Sequence, residues 1–275
     1  MRKSIHLEYL KKGDLVAIVS IAKYITKKDC QFAIKYIKKE GLNIVNLDKT
    51  ILSRKGMFSG SNKERTEMLQ SILDSSKIKA IFFARGGYGS IRILDKLNFT
   101  KFIKSPKWII GFSDITVFLS HVSKFYNVPT LHSPMPFNFP VTSKKSLKEL
   151  FNLLFGIKNS IKISSNQHNR EGCAKGRLIG GNLSILCSLL NSESFPKTKG
   201  NILLILGDQI FKVSQLEYSF ISEKGYLLDV EGSINTNTLM DDLSSNFSLS
   251  DSNKLENLLE FKKKEVLNTP AKVQN

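Results

Sequence analysis

The chain has 275 residues, 41% of them hydrophobic and 9% aromatic, which suits one large or two medium folded domains and excludes disorder. Its formal charge is +17, from 41 Lys and Arg against 24 Asp and Glu, and a charge this high raises the question of a nucleic-acid partner. The basic residues are scattered in short runs such as Lys11-Lys12 and Lys38-Lys39, without an aromatic-basic ladder or zinc-finger spacing, so a lysine-rich solvated exterior is expected and nucleic acid is not.

The N-terminus is basic, but Glu8, Lys11, Lys12 and Asp14 interrupt any signal-peptide core. The apolar run Leu15 to Ala22 is far shorter than the ~20 residues of a membrane span, so a cytoplasmic protein with no membrane partner is expected. Leu15 to Val19 reads as a buried strand. Phe32, Ala33, Tyr36 and Ile37 recur at helical spacing up to Gly41, and Leu42 to Leu47 alternates like a second strand. Ser61-Asn62-Lys63-Glu64 has the form of a capping box and opens a helix carrying Met68, Leu69 and Ile72. Ile78 to Phe83 and Trp108 to Phe112 are two more apolar strands, with helical patterns at Ile91 to Leu97 and Ile115 to Phe125. Strands alternating with helices predict an α/β fold with a parallel sheet covered on both faces. Ligand sites on such sheets lie at the carboxyl ends of the strands.

Residues 136–175 hold prolines, asparagines and polar runs around a helix near Leu147 to Leu154, and read as a linker region between an N-terminal domain, 1–135, and a smaller C-terminal α/β domain, 176–275. In that second unit Gly180-Gly181-Asn182 leads into a helix, Leu183 to Leu190, followed by a strand at Asn201 to Leu206. Phe211 to Ile221 reads as a helix, Tyr226 to Ile234 mostly as strand, and Leu255 to Phe261 as a last helix. Cys30, Cys173 and Cys187 are too far apart for a metal or redox motif, and their odd number does not suit a disulfide framework. Cys30 and Cys187 fall in helical patterns and are expected to be buried thiols.

Two glycine-bearing turns fall at strand ends. Arg85-Gly86-Gly87-Tyr88-Gly89 follows the third strand, and its glycines allow close approach of a ligand to backbone N–H groups. The alternative is an ordinary turn whose glycines supply only positive φ. A dinucleotide site is a weaker reading, because the first strand-to-helix turn, where that fingerprint belongs, lacks the glycines. Gly111-Phe112-Ser113-Asp114 follows the fourth strand. It fits the first half of a nucleophile elbow, in which a sharp turn exposes a serine while the following N–H groups can hold an oxyanion. The alternative is that Ser113-Asp114 caps the next helix. A nucleophilic serine also needs a base, and the histidines are His6, His121, His132 and His168.

These turns, in this order, resemble the LD-carboxypeptidase family of serine peptidases, which includes muramoyltetrapeptide carboxypeptidases and microcin-immunity proteins. Lys12 to Val19, Phe58 to Arg65, Ile81 to Gly89, Ile110 to Thr116, His132-Ser133-Pro134-Met135 and Gly176 to Leu183 each resemble a family segment. The resemblance implies an N-terminal α/β domain bearing the nucleophile and a C-terminal domain completing the site. It implies cleavage of an amide bond to a terminal D-amino acid in murein-derived peptides, without metal or cofactor, and a homodimer is a compatible assembly. Carried over by position, Ser113 is the nucleophile, and the N–H groups of Gly87 and Asp114 form the oxyanion hole. Arg85, Gly86 and Tyr88 contact substrate.

The sequence departs from the family's Ser-Glu-His triad. Leu206 stands where the family has its glutamate, and Asp208 is the nearest carboxylate that could substitute. The family's histidine lies in a Gly-His turn beyond the last helix. This sequence contains no Gly-His pair and ends at Asn275, about where that turn would begin, so a C-terminally shortened second domain is expected. Ser20-Ile21-Ala22 also replaces the family's Pro-Ser-Ser. Two rival expectations follow: a non-catalytic family member that still binds peptides, and a basic nucleic-acid-binding protein.

Overall fold

A computed structural model describes residues 5–157 and 174–206. Its centre is a parallel sheet built from β1 (Leu15–Val19), β2 (Asn43–Ile44), β5 (Ile78–Phe83), β6 (Trp108–Gly111) and β7 (Leu131–His132), in the order β2-β1-β5-β6-β7. A short antiparallel hairpin, β3 (Arg54–Lys55) and β4 (Phe58–Ser59), stands apart from it. The helices are α1 (Gln31–Lys39), α2 (Asn62–Asp74), α3 (Ile91–Leu94), α4 (Thr100–Lys104), α5 (Thr116–Tyr126) and α6 (Lys144–Leu154). A second parallel pair, β8 (Arg177–Asn182) and β9 (Asn201–Leu206), is joined through α7 (Leu183–Ser188). The expected elements at 211–221, 226–234 and 255–261, like Cys173, His168 and Asp208, lie outside the described residues.

The continuous apolar character of β1 and β5 has a direct structural cause. Both strands are covered on two faces, so neither face can be polar. Phe82 and Phe83 are both fully buried and, being consecutive in a strand, point to opposite faces. Phe82 stacks on Phe151 of α6 with ring centroids 6.2 Å apart, while Phe83 meets Phe118 of α5 at 5.5 Å. Burying a side chain of this size contributes about 2–3 kcal/mol. The second strand is shorter than the alternation at Leu42 to Leu47 suggests, because Asn46 turns the chain into a 3₁₀ helix by accepting a hydrogen bond from the Asp48 N–H at 2.9 Å.

The linker expectation for 136–175 changes for its first half. Residues 136–141 form a 3₁₀ helix, and α6 lays Leu147, Leu150, Phe151 and Leu154 into the same core as the central sheet. These positions have the i, i+3, i+4, i+7 spacing of one helix face. Loop-like composition at 136–143 concealed a segment that packs tightly: the Phe137 N–H donates to the Ala84 carbonyl at 3.0 Å. The capping box at the start of α2 is present in both directions, with Ser61 N–H to Glu64 at 2.7 Å and Glu64 N–H to Ser61 Oγ at 3.2 Å. Of the two described cysteines, Cys30 is buried just before α1 and Cys187 is half-buried in α7. Burial pushes the Cys30 thiol up to about 12, so it behaves as an apolar group at neutral pH.

The other end of α2 is closed by a residue just before β6. Lys107, 1% exposed, donates from Nζ to the carbonyls of Leu73 at 2.6 Å, Ser75 at 2.8 Å and Ile72 at 3.3 Å. An ammonium has three donors, and the last carbonyls of a helix have no partner within it. Lys107→Met keeps the stem and removes the donors, leaving buried carbonyls unsatisfied, so the variant should lose roughly 1–3 kcal/mol. A urea unfolding midpoint equal to the parent chain's would contradict this assignment.

Candidate active site

Strand order reverses between β1 and β5, because β2 lies outside β1 on one side while β5, β6 and β7 follow on the other. Such a reversal opens a crevice at the carboxyl ends of the strands. The loops leaving β1, β5 and β6 meet there. The Lys23 N–H, after β1, donates to the Gly86 carbonyl at 3.4 Å. A methyl added at Gly86 would stand 3.3 Å from Ser113 Cβ, 3.3 Å from Met135 Cε and 3.5 Å from Asp114 N. The glycine-rich turn and the Ser113 turn therefore lie against each other at Gly86, where any side chain would be a tight fit.

Ser113 occupies the left-handed backbone region, with φ +57°. This conformation costs an ordinary residue roughly 1–2 kcal/mol and persists where surrounding structure enforces it. The enforcement is visible. Phe112 is extended, Ser113 to Ile115 make a single 3₁₀ turn, and α5 begins at Thr116. A methyl on Gly111 would come within 2.9 Å of Ile115, so the strand end and the helix start can be this close only with glycine. The helix-cap reading of Ser113-Asp114 is overturned: neither the 3₁₀ turn nor α5 has a side-chain cap hydrogen bond.

The Asp114 carboxylate instead reaches the other turn. Its Oδ2 accepts from the Ser90 N–H at 3.0 Å and the Ser90 hydroxyl at 2.7 Å. Burial pushes the Asp114 carboxyl above the usual carboxylate range, and the hydrogen bonds from Ser90 oppose that shift. Gly89 has φ +126°, and a methyl there would meet Arg65 Nη1 at 2.7 Å and Phe58 at 2.9 Å, so both its conformation and its neighbours demand glycine. Arg85 lies over the Phe137 ring at 4.4 Å, and Tyr88, 48% exposed, packs beside Phe58. Gly86 is buried, whereas Gly87 and Tyr88 face solvent.

The histidines divide. His6 packs edge-on against Tyr9. His121 Nδ1 is hydrogen-bonded to Ser194 Oγ at 2.9 Å, and its ring sits among Phe99, Phe125 and Tyr126, so it is committed away from the Ser113 turn. His132 is the closer one: β7 pairs with β6 so that His132 is in register with Gly111. Burial pushes its imidazole down to about 4. Leu206 ends β9 in register with Asn182, whose N–H donates to Thr116 Oγ1 at 3.2 Å; this contact sets the second strand pair against the first turn of α5. Among the described residues, no group of three or more His, Cys, Asp or Glu side chains could hold a metal ion, and no helix is long and apolar enough to cross a membrane.

Sequence reasoning located both turns but not Arg65, Ser90 or Lys23. Arg65 was concealed within the capping-box helix, where a charged residue ordinarily marks the solvated face. A serine directly after Gly89, at the entrance to α3, was the available signal for Ser90.

A parallel α/β sheet carries a left-handed serine turn beside its switch-point crevice, and the comparisons with known proteins narrow the class this fold belongs to. Residues 16–133 match the LD-carboxypeptidase N-terminal domain, and residues 175–220 match the LD-carboxypeptidase C-terminal domain. The chain belongs to the LD-carboxypeptidase family. A Bacillus subtilis (strain 168) relative named "Probable murein peptide carboxypeptidase" is 31% identical over 203 residues, covering 71% of this chain and 63% of the relative. The murein tetrapeptide carboxypeptidase of Pseudomonas aeruginosa is 26% identical over 204 residues, covering 70% of this chain and 66% of its own length. The chain thus spans just under two thirds of these relatives. The crystal structure of muramoyltetrapeptide carboxypeptidase from Oxalobacter formigenes superposes with TM-score 0.63 at 27% identity, covering 70% of this chain and 65% of that one.

Two measurements check the electrostatics and strain of the site. Ser113→Gly and Ser113→Ala both remove the hydroxyl, but only glycine tolerates φ +57°, so the glycine variant should be the more stable by about 1 kcal/mol; equal thermal midpoints would contradict strain at this turn. For His132 the folded state holds its proton less tightly than the unfolded chain, whose imidazole titrates near 6.5, against about 4 when folded. Protons then bind the unfolded state preferentially across pH 4 to 6.5, so this residue's contribution is full above about 6.5 and falls away as the pH drops toward 4. His132→Gln should flatten the fall in stability across that window, and an unchanged pH slope would contradict the lowered proton affinity of the folded-state ring.

Proposed function

We propose that this chain carries the nucleophile of a serine-type LD-carboxypeptidase that hydrolyses the amide bond to a terminal D-amino acid in murein-derived peptides. The observation that carries the reading is the left-handed Ser113 at the end of β6, abutting the Gly86 turn. The murein-peptide names of the relatives support the substrate class.

In this reading Ser113 Oγ attacks the scissile carbonyl carbon. The carbonyl oxygen takes up negative charge, and the backbone N–H groups of Gly87 and Asp114 donate to it. One such donor typically contributes about 3–4 kcal/mol to the transition state. Collapse of the tetrahedral species breaks the C–N bond as the proton given up by Ser113 Oγ passes to the departing nitrogen, so the D-amino acid leaves as a free amine; water then attacks the acyl carbon, releasing the peptide as a carboxylic acid and restoring the Ser113 hydroxyl. Arg85 and Tyr88 flank the entrance beside Gly86 and are assigned to peptide binding, with Arg85 a partner for a substrate carboxylate. The same reading separates the nucleophile-bearing unit from a second unit beginning near Gly176.

Full-length protein incubated with murein tetrapeptide should release D-alanine, and Ser113→Ala should lower that release by at least about a thousandfold. Release that survives Ser113→Ala would overturn the assignment. Peptide binding without release from the parent chain would favour the non-catalytic reading.

A further inference from the structure

The peptide unit joining Gly89 to Ser90 lies between two buried charges. Its carbonyl accepts from Arg65 Nη1 at 3.1 Å, and its N–H donates to Asp114 Oδ2 at 3.0 Å. Arg65 is fully buried and Asp114 is 2% exposed. A peptide dipole is negative at oxygen and positive at the N–H, so the cation and the anion both attract the end they face. The Ser90 hydroxyl adds a second bond to the same carboxylate oxygen at 2.7 Å.

Arg65 also reaches beyond this peptide. It donates to the Ile21 carbonyl in the loop after β1 and to Asn62 Oδ1 at 2.5 Å, and its guanidinium stands 4.8 Å from the Phe58 ring centroid. Among the described residues it makes no ion pair. Desolvation weakens its hold on the proton while the Asp114 charge supports it. The two charges stabilise each other through the peptide between them, not by contact.

The place of this unit gives it consequence. Ser90 lies three residues beyond Gly87, and the Asp114 carboxylate hangs from the residue that follows Ser113. We infer that Arg65, Ser90 and the Asp114 carboxylate form a positioning clamp that sets the spacing between the Gly87 and Asp114 backbone N–H groups. The inference rests on the reading of Ser113 as nucleophile. Oxyanion donors act only if held within about 0.5 Å of the productive geometry, and two loops that touch only through glycine backbone need an external tie to stay there.

The clamp is tested in the full chain by Ser90→Ala, which deletes one of the two bonds from Ser90 to Asp114 with little loss of volume, and by Asp114→Asn. In both, kcat for D-alanine release from murein tetrapeptide should fall about tenfold or more while KM stays within about twofold, since donor geometry matters in the transition state and not in substrate binding. Amide hydrogen exchange across 86–92 should quicken about tenfold. The double variant should lose little more than the worse single variant, because both cut one network. If Asp114→Asn does not fold, Ser90→Ala alone decides. Parent-like kcat and exchange in Ser90→Ala, or a raised KM with unchanged kcat, overturns the clamp. If the parent chain releases no D-alanine, it is the functional reading that fails; exchange at 86–92 then decides the clamp by itself.

Discussion

The Ser113 turn is held in a backbone conformation that serine does not choose, and much of the surrounding architecture exists in a form that permits it. Gly111 allows β6 to run directly under Ile115, and Gly86 allows the neighbouring turn to approach Ser113 and Asp114 without a side chain between them. The local cost of the left-handed residue is roughly 1–2 kcal/mol, small against the burial of Ile109, Ile110, Ile115 and Val117 on either side. The sheet and α5 therefore dictate the turn, and the turn cannot relax without unpacking them.

Charge is used sparingly in this interior. Among the described residues, two of the lysines and arginines, Lys107 and Arg65, are buried, and both serve backbone. Lys107 closes the last carbonyls of α2, while Arg65 ties the loops after β1 and β5 to the start of the same helix. Neither sits in contact with a carboxylate. Each is stabilised by several carbonyl dipoles at once, which is how a buried cation is tolerated without a paired anion. None of the other described lysines and arginines is buried, so solvent screens them.

Periodicity exposed the long, regular parts. Apolar runs at Leu15 to Val19 and Ile78 to Phe83 declare strands buried on both faces, and Ser61-x-x-Glu64 declares a helix start, because each is a local rule with a single cause. Residues 136–143 misled for the same reason. Prolines and asparagines are loop formers locally, yet Phe139 is fully buried, packed against Tyr36 of α1 and Phe151 of α6. The serine turn was visible as a pattern but ambiguous, since Ser-Asp before a helix is more often a cap; the direction of the Asp114 carboxylate, across to Ser90, resolved it. Arg65 lay in a family-like segment, yet its burial had no local sign, because a charged residue in a helix is expected on the solvated face unless a partner from another element is known to await it.

The amino-acid sequence by itself determined the α/β class, the family resemblance and the two strand-end turns, since those depend on local spacing and on residue types that permit sharp backbone turns. Tertiary structure alone decided which turn meets which, the left-handed state of Ser113, the commitment of His121 to Ser194, and the seating of one peptide unit between Arg65 and Asp114. Those are contacts between residues tens of positions apart. Their existence depends on strand order and on desolvation, neither of which is written in any local stretch of the chain.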